Sequence, residues 1–258
     1  MNEKLKKVKC FLLDMDGTLY LENNVIDGAI DAVKRMKKQG KVLYLTNNSS
    51  SARADYVAKL TRLNFDATEE EVFSSANATI EYLHANYEGK RIYLFGNEKL
   101  HGEFLRGGIT PVVDNPELIV IGFHTTFNYD DLTELCNYIR EGVPFICTHD
   151  DINCPTARGY KPDVGSFLSL IEKSTGKRPL LVCGKPYQPI GESIQRIFNL
   201  QPHEIAMGGD RLATDIKFAI NNGFVSVLVL SGEATLDDLK ASGLKVDVIL
   251  PSIKSWDE

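Results

Sequence analysis

Four short apolar runs in this chain each stop at a tight polar cluster, and this pattern limits the fold more than any other feature. Phe11-Leu12-Leu13 ends in Asp14-Met15-Asp16-Gly17-Thr18, and residues 42–45 end in Thr46-Asn47-Asn48-Ser49-Ser50. Residues 180–183 end in Gly184-Lys185-Pro186, and residues 204–207 end in Gly208-Gly209-Asp210-Arg211-Leu212-Ala213-Thr214-Asp215. Continuous apolar runs of this length, bounded by turn residues, read as buried strands. Residues 27–39, between the first two runs, carry Ala29, Ile30, Val33 and Met36 at helical spacing, with Gly40 as a stop signal. Residues 51–63 are helical again, so the chain opens β-α-β-α, the signature of a parallel sheet. Ligands of such sheets bind beyond the strand ends, where all four clusters are predicted to lie.

The residue types in the clusters set the chemistry. Asp14 is predicted to project its side chain into the site, while Asp16, where the chain turns, offers a backbone carbonyl and a second carboxylate. Two carboxylates this close stay ionised together only with a cation or proton between them, and a hard metal ion is the simplest choice. An EF-hand loop is a poor match, because no glutamate stands at its twelfth position. The cluster at 46–50 has the residues of a helix cap, and the same amides and hydroxyls bind anions. A lysine is ordinarily a solvated surface residue, but Gly184-Lys185-Pro186 sits just past an apolar run, at the ligand edge of the sheet. Asp210 and Asp215 suit the start of a helix through its dipole. Together the clusters offer a site for a metal and a phosphate.

Composition removes several classes. Residues with apolar side chains make up 43% of the 258 positions and charged ones 25%, as in an ordinary globular chain. The net charge of -6 leaves no electrostatic footprint for nucleic acid or for an anionic membrane surface. Lysines 4, 6, 7 and 9 precede an apolar run that Asp14 stops, too short for a signal peptide. No run approaches the length of a membrane helix. Cysteines 10, 136, 147, 154 and 183 contain no Cys-x-x-Cys pair, so free thiols in a cytoplasmic protein are expected.

Further strands are predicted at 72–73, 91–95, 118–122, 144–147, 225–230 and 246–250, and helices at 76–86, 98–106, 130–141, 163–175 and 214–222. Pro189 stands at the favoured first position of another helix. Residues 148–162, rich in Asp, Pro and Gly, read as a long irregular loop, and loops of that length are usually functional.

With these residues on the page, the four clusters resemble the four motifs of haloacid dehalogenase-type phosphatases. Asp14-Met15-Asp16-Gly17-Thr18-Leu19 resembles the first, Thr46-Asn47-Asn48 the second, Lys185 the third, and Gly209-Asp210-Arg211-Leu212 through Asp215 the fourth. Thr46 follows Asp14 by 32 positions and Lys185 follows Thr46 by 139, so an inserted domain falls between the second and third motifs. That arrangement is similar to the NagD and p-nitrophenyl phosphatase branch, with an α/β cap. The resemblance implies a Rossmann-like parallel-sheet core at 1–87 and 180–258, with the cap at 88–179.

It implies a magnesium-dependent phosphomonoesterase, with Asp14 as nucleophile and Asp16 as acid and base. Magnesium would be held by Asp14, the Asp16 carbonyl and Asp210. The phosphoryl group would be held by Thr46, the Asn47 amide and Lys185, with Asp215 orienting Lys185 or a metal-bound water. The cap loop 148–160, through His149, Cys154 and Arg158, would read the leaving group. A small phosphorylated metabolite, such as a sugar phosphate or nucleotide monophosphate, is the implied substrate, and some members of the branch are homodimers. A phosphotransferase on the same fold and a phosphate-binding regulator without turnover are the alternatives. Against the regulator stands the intact set Asp14, Asp16, Lys185 and Asp210.

Overall fold

Cys10-Phe11-Leu12-Leu13 is buried at every residue, as an apolar run must be when helices cover both faces of a sheet. This strand is β1 (Cys10–Leu13) in a computed structural model that describes residues 2–156 and 158–257. It is followed by the short hairpin β2 (Tyr20–Leu21) and β3 (Asn24–Val25), then α1 (Ala29–Gln39), β4 (Lys41–Thr46), α2 (Arg53–Arg62), β5 (Val72–Ser74) and α3 (Ser75–Asn86). Next come β6 (Ile92–Phe95), α4 (Glu98–Arg106), β7 (Leu118–Ile121), α5 (Tyr129–Arg140), β8 (Phe145–Cys147), β9 (Asn153–Thr156), β10 (Gly159–Pro162) and α6 (Val164–Thr175). The chain ends with α7 (Gln188–Phe198), β11 (Ile205–Gly209), α8 (Lys217–Asn222), β12 (Val225–Val229), α9 (Leu236–Ser242) and β13 (Val248–Leu250).

The chain forms two units. The first comprises Met1–Thr46, Arg53–Phe73 and Lys185–Glu258, and the second Asn47–Ala52 and Ser74–Gly184. In the first, a six-stranded sheet runs β13-β12-β11-β1-β4-β5. The pairs β13–β12, β12–β11, β11–β1 and β1–β4 are all parallel, giving the α/β class expected. The chain steps outward from β1 through β4 in one direction and from β11 through β12 in the other. The strand order therefore reverses between β1 and β11, where a crevice opens beyond the carboxyl ends. Leu13 pairs with Gly208 on one side and Tyr44 on the other, so Asp14, Asp210 and Thr46 emerge at the same edge.

The core of this unit gathers Phe11, Leu13, Tyr44 and Val227 with Ala29, Ala32, Val33 and Met36 of α1. The spacing of those α1 residues lays one apolar face on the sheet. Trp256 closes the core edge-on against Phe11, with centroids 5.0 Å apart. Phe11→Ala is expected to cost about 3–5 kcal/mol, since both the ring and its aromatic partner lose contact. Trp256 is the only tryptophan, so urea unfolding followed by its fluorescence checks this.

The second unit holds a parallel sheet β6-β7-β8. Phe95, Ile119, Ile121 and Phe145 pack there with Leu135 and Ile139 of α5 and Val164 and Ile171 of α6. Its limits differ from those expected at 88 and 179. The helix α3 packs with α4, where His84 Nε2 lies 2.7 Å from the Gly107 carbonyl, so residues 74–87 join this unit. Asn47–Ala52 joins it as well: Ser49 Oγ accepts the Phe123 N–H at 2.9 Å, and Asn97 Nδ2 donates to the Ser50 carbonyl at 2.9 Å.

Two other expectations change. Residues 148–162 are not an irregular loop but carry the antiparallel hairpin β9–β10, with Asn153 paired to Pro162 and Thr156 to Gly159. Ala157, within that stretch, lies outside the described residues. Residues 180–183 run parallel beside β8 without making a full strand: Val182 bridges Cys147, the Leu180 N–H donates to the Phe145 carbonyl at 2.8 Å, and the Cys183 N–H donates to the Cys147 carbonyl at 3.0 Å. No helix among the described residues is long and apolar enough to cross a membrane.

Candidate active site

Asp14 stands one residue beyond β1, and its N–H still donates to the Gly208 carbonyl at 2.9 Å. The backbone then leaves the sheet in a turn in which the Gly17 N–H donates to the Tyr20 carbonyl at 2.8 Å. Gly17 has φ +87°, which favours glycine, and a Cβ there would lie 2.2 Å from Asp210 Oδ2. The turn thus brings the first acidic motif against the fourth. After β11, the Arg211 carbonyl accepts both the Asp215 N–H at 3.0 Å and the Ile216 N–H at 3.1 Å. This widened turn, of a kind frequent at functional sites, carries Asp215 back over Gly209, where a Cβ would come 2.4 Å from its carboxyl.

One carboxylate oxygen from each of Asp14, Asp210 and Asp215 lies within 4.8 Å of the others. Lys185, buried to 2% exposure, donates from Nζ to Asp14 Oδ1 at 2.8 Å and to Asp215 Oδ1 at 2.7 Å. Burial opposes its charge, but the two carboxylates outweigh burial and hold the ammonium above its ordinary pKa. One ammonium does not balance three carboxylates. Burial and then the Asp14 charge push Asp210 up to about 6, against the Glu233 amide. Burial pushes Asp215 up to about 7, with Lys185 pulling down and Asp14 pushing up.

Asp210 Oδ2 accepts the Glu233 N–H at 2.7 Å, while its Oδ1 is buried and unpartnered among the described residues. An orphaned, buried carboxylate oxygen beside two further carboxylates fits a hard divalent cation, since every donor is oxygen. Gly232 tightens this cradle, for a Cβ there would sit 2.0 Å from Asp210 Oδ2. The loop Ser231-Gly232-Glu233 was not singled out from sequence. Its signal was a turn directly after an apolar run, the same signal that marked the four clusters, and Ser231 Oγ also donates to the Gly17 carbonyl at 2.9 Å.

The side chain of Asp16 is exposed and stands outside the three-carboxylate group. Although the residue is exposed as a whole, its carboxyl is partly shielded from water by its neighbours, and this loss of hydration, with the Asp14 charge, raises its pKa, while Lys59 and Arg211 pull it down. Thr46 closes β4 in the first unit, half-buried. Asn47, next in the chain, is buried in the second unit, where its Nδ2 donates to both Asp151 oxygens at 3.2 and 3.3 Å.

The three residues expected to read the leaving group separate. His149 is fully buried, with Nε2 2.9 Å from Asp163 Oδ1 and Nδ1 2.9 Å from the Thr148 hydroxyl. It does not lie on the surface of the stretch, because its partner Asp163, fourteen residues on, draws the ring inward. Cys154 is half-buried on β9 and packs on the core of its unit. Arg158 is exposed beside Gly159 at the turn of the hairpin.

A haloacid dehalogenase-like hydrolase family model matches residues 11–110, and a second, HAD-hydrolase-like model matches residues 182–256. The chain is 32% identical to 5'-nucleotidase YutF of Bacillus subtilis over 253 residues, which covers 98% of each. It belongs to the haloacid dehalogenase-like hydrolases. Another such hydrolase, an acid sugar phosphatase of Staphylococcus aureus, is 34% identical over 92% of each chain. The solved structure of a 4-nitrophenylphosphatase from Thermotoga maritima superposes with a TM-score of 0.93 at 37% identity, covering 99% of this chain and 98% of that one. Within the haloacid dehalogenase-like hydrolases these relatives mark the NagD and p-nitrophenyl phosphatase branch, a group of phosphatases, and the chain is an enzyme of that group.

Proposed function

We propose that the chain is a magnesium-dependent phosphomonoesterase acting on a small phosphorylated metabolite through an aspartyl phosphate at Asp14. The observation that carries this reading is the convergence of Asp14, Asp210 and Asp215, with Lys185 bonded to Asp14 and Asp215 and one Asp210 oxygen buried and unpartnered among the described residues. Asp14, Asp210 and the Asp16 carbonyl would hold the ion. Bound there, magnesium supplies the positive charge that lets an anionic nucleophile meet an anionic ester.

Asp14 attacks phosphorus, forming its O–P bond as the ester O–P bond breaks. Lys185 bonds one Asp14 oxygen and fixes the carboxylate, leaving the other free to attack. Asp16 gives the departing alkoxide a proton. A carboxyl whose pKa is raised is suited to that donation. In the second step Asp16 takes a proton from water, the water oxygen bonds phosphorus, and the Asp14 carboxylate is released. Thr46, the Asn47 N–H and Lys185 bind the phosphoryl oxygens. Asp215 keeps Lys185 in place through its 2.7 Å bond.

The relatives' names, a 5'-nucleotidase and an acid sugar phosphatase, make nucleoside monophosphates and sugar phosphates the first substrates to try. Phosphate release from a metabolite panel with magnesium tests the reading. Failure to release phosphate from any member, p-nitrophenyl phosphate included, overturns it.

The expectation that residues 148–160 read the leaving group is tested on the exposed side of the β9–β10 hairpin, where Arg158 and Tyr160, the latter 77% exposed, offer a charge and an aromatic face. The double change Arg158→Ala with Tyr160→Ala is expected to lower kcat/KM about tenfold on the best metabolite and less than about twofold on p-nitrophenyl phosphate. Equal losses on both substrates would place discrimination elsewhere.

A further inference from the structure

Asn47 is held more tightly than a residue in a polar turn needs to be. Its carbonyl accepts a hydrogen bond from the Ser75 hydroxyl, and its side-chain amide is spent on Asp151. Gly184 closes on it so nearly that a Cβ there would lie 2.7 Å from Asn47 Oδ1. Behind these contacts sits a fully buried polar chain. His149 Nδ1 lies 2.9 Å from the Thr148 hydroxyl and 3.5 Å from the Ser75 hydroxyl, and Nε2 lies 2.9 Å from Asp163 Oδ1. The Thr148 hydroxyl is in turn 3.1 Å from that of Ser49.

A histidine at 0% exposure is costly to bury, and an apolar residue of its volume would fill the space without a partner. Its partners explain its place. Ser75 and Ser49 both belong to the polar frame of segment 47–52, and Thr148 and Asp163 tie that frame to the start of α6. Asp163 is also the N-cap of α6, accepting the Val164 N–H at 2.7 Å. One carboxylate therefore anchors a helix and a histidine at once.

We propose that the buried Asp163–His149 pair is a positioning device for the phosphate-binding peptide at Asn47, acting through Thr148 and Ser75 to set the orientation of that N–H for a phosphoryl oxygen. His149 is thus a positioning residue, not a contact to the leaving group. The inference rests on the reading above, in which the Asn47 N–H binds phosphate. It deepens that reading by assigning phosphoryl affinity partly to residues that never touch the substrate. Loss of the pair leaves Asp14, Asp16 and Lys185 in place, so it weakens binding of the phosphoryl group more than it slows turnover.

The test compares His149→Ala and Asp163→Ser with wild type. Serine keeps the cap of α6 but is too short to reach His149 Nε2, so it separates capping from positioning. Three readouts are taken: the competitive inhibition constant of inorganic phosphate, KM and kcat for p-nitrophenyl phosphate, and Tm. Tyr129→Ser, at an 81% exposed position on α5 of the same unit, serves as the neutral control. Both test variants are expected to raise the phosphate inhibition constant and KM about tenfold, the effect of misplacing one hydrogen bond to a charged ligand. The fall in kcat should stay within about threefold, and Asp163→Asn, which can still accept from the ring, should recover most of the loss.

Lys185→Gln is measured beside them. If Lys185→Gln raises the phosphate constant and both test variants keep the wild-type value, the positioning role is overturned while the phosphate site stands. If Lys185→Gln also keeps the wild-type value, the phosphate site itself is wrong and the inference goes with it. A drop in Tm with unchanged phosphate affinity means the pair serves stability alone, which also overturns the proposal. Should His149→Ala fail to fold, Asp163→Ser decides the question by itself.

Discussion

Asp14→Asn is expected to lower kcat by more than about 10³-fold with the fold intact, because the amide nearly matches the carboxylate in shape but is no nucleophile. The carboxylate is half-buried and bonded to Lys185 at 2.8 Å, a contact that an amide oxygen still accepts, so Lys185 keeps its place. Asp16→Asn is expected to do most harm with poor leaving groups, which need the proton, and less with p-nitrophenolate, which departs without one. Turnover of p-nitrophenyl phosphate by Asp14→Asn at the wild-type rate would remove Asp14 from the chemistry. Circular dichroism and Trp256 fluorescence check that the fold survives.

Chelation is expected to have an effect of similar size. EDTA should bring activity to background, magnesium should restore it, and calcium should bind yet support little turnover. Calcium takes roughly six to eight oxygens, so it can occupy both oxygens of a carboxylate that must keep one for attack, whereas magnesium holds a compact octahedron. Asp210 should govern the affinity, since its Oδ1 is a buried carboxylate oxygen without a partner among the described residues. Gly232→Ala is therefore expected to weaken magnesium binding by about tenfold or more, because the added Cβ would displace the Asp210 carboxylate 2.0 Å away. Calorimetric titration with magnesium reads this without any turnover. Full activity after exhaustive chelation would sink the metal assignment.

The catalytic edge was legible because buried parallel strands leave a plain trace. Cys10–Leu13 and Ile205–Gly209 are buried throughout, so their apolar runs stop abruptly where the chain meets the crevice. The acidic and lysine clusters stood out at those stops, and the structure brings Asp14, Lys185, Asp210 and Asp215 together in the first unit. Features that depend on partners distant in sequence were not legible. The β9–β10 hairpin has neither alternation nor a standard turn pair, and Pro155 argues against a strand except in a small edge sheet such as this one. His149 looked like a surface ligand because nothing local shows that Asp163 turns it inward. Residues 180–183 were apolar enough for a strand and do hydrogen-bond along β8, but the pairing is short, with Val182 bridging Cys147. The loop at 231–233 holds Asp210 with a backbone N–H and the absence of a Cβ, neither of which a side-chain motif announces, and its Ser231 hydroxyl finds a partner at Gly17, far off in sequence.

The membership of Asn47–Ala52 in the second unit bears on any attempt to exchange that unit between relatives. A graft cut at 88 and 179 would leave α3 behind and strip α4 of the helix it packs on. A graft cut at 74 and 184 would carry α3 but not the six-residue outlier, and the Phe123 N–H would then face a stranger in place of Ser49 Oγ. The transplantable module is discontinuous, and a chimera retains the host's 47–52 peptide or the donor's framework around it, but not a matched pair, unless both segments travel together.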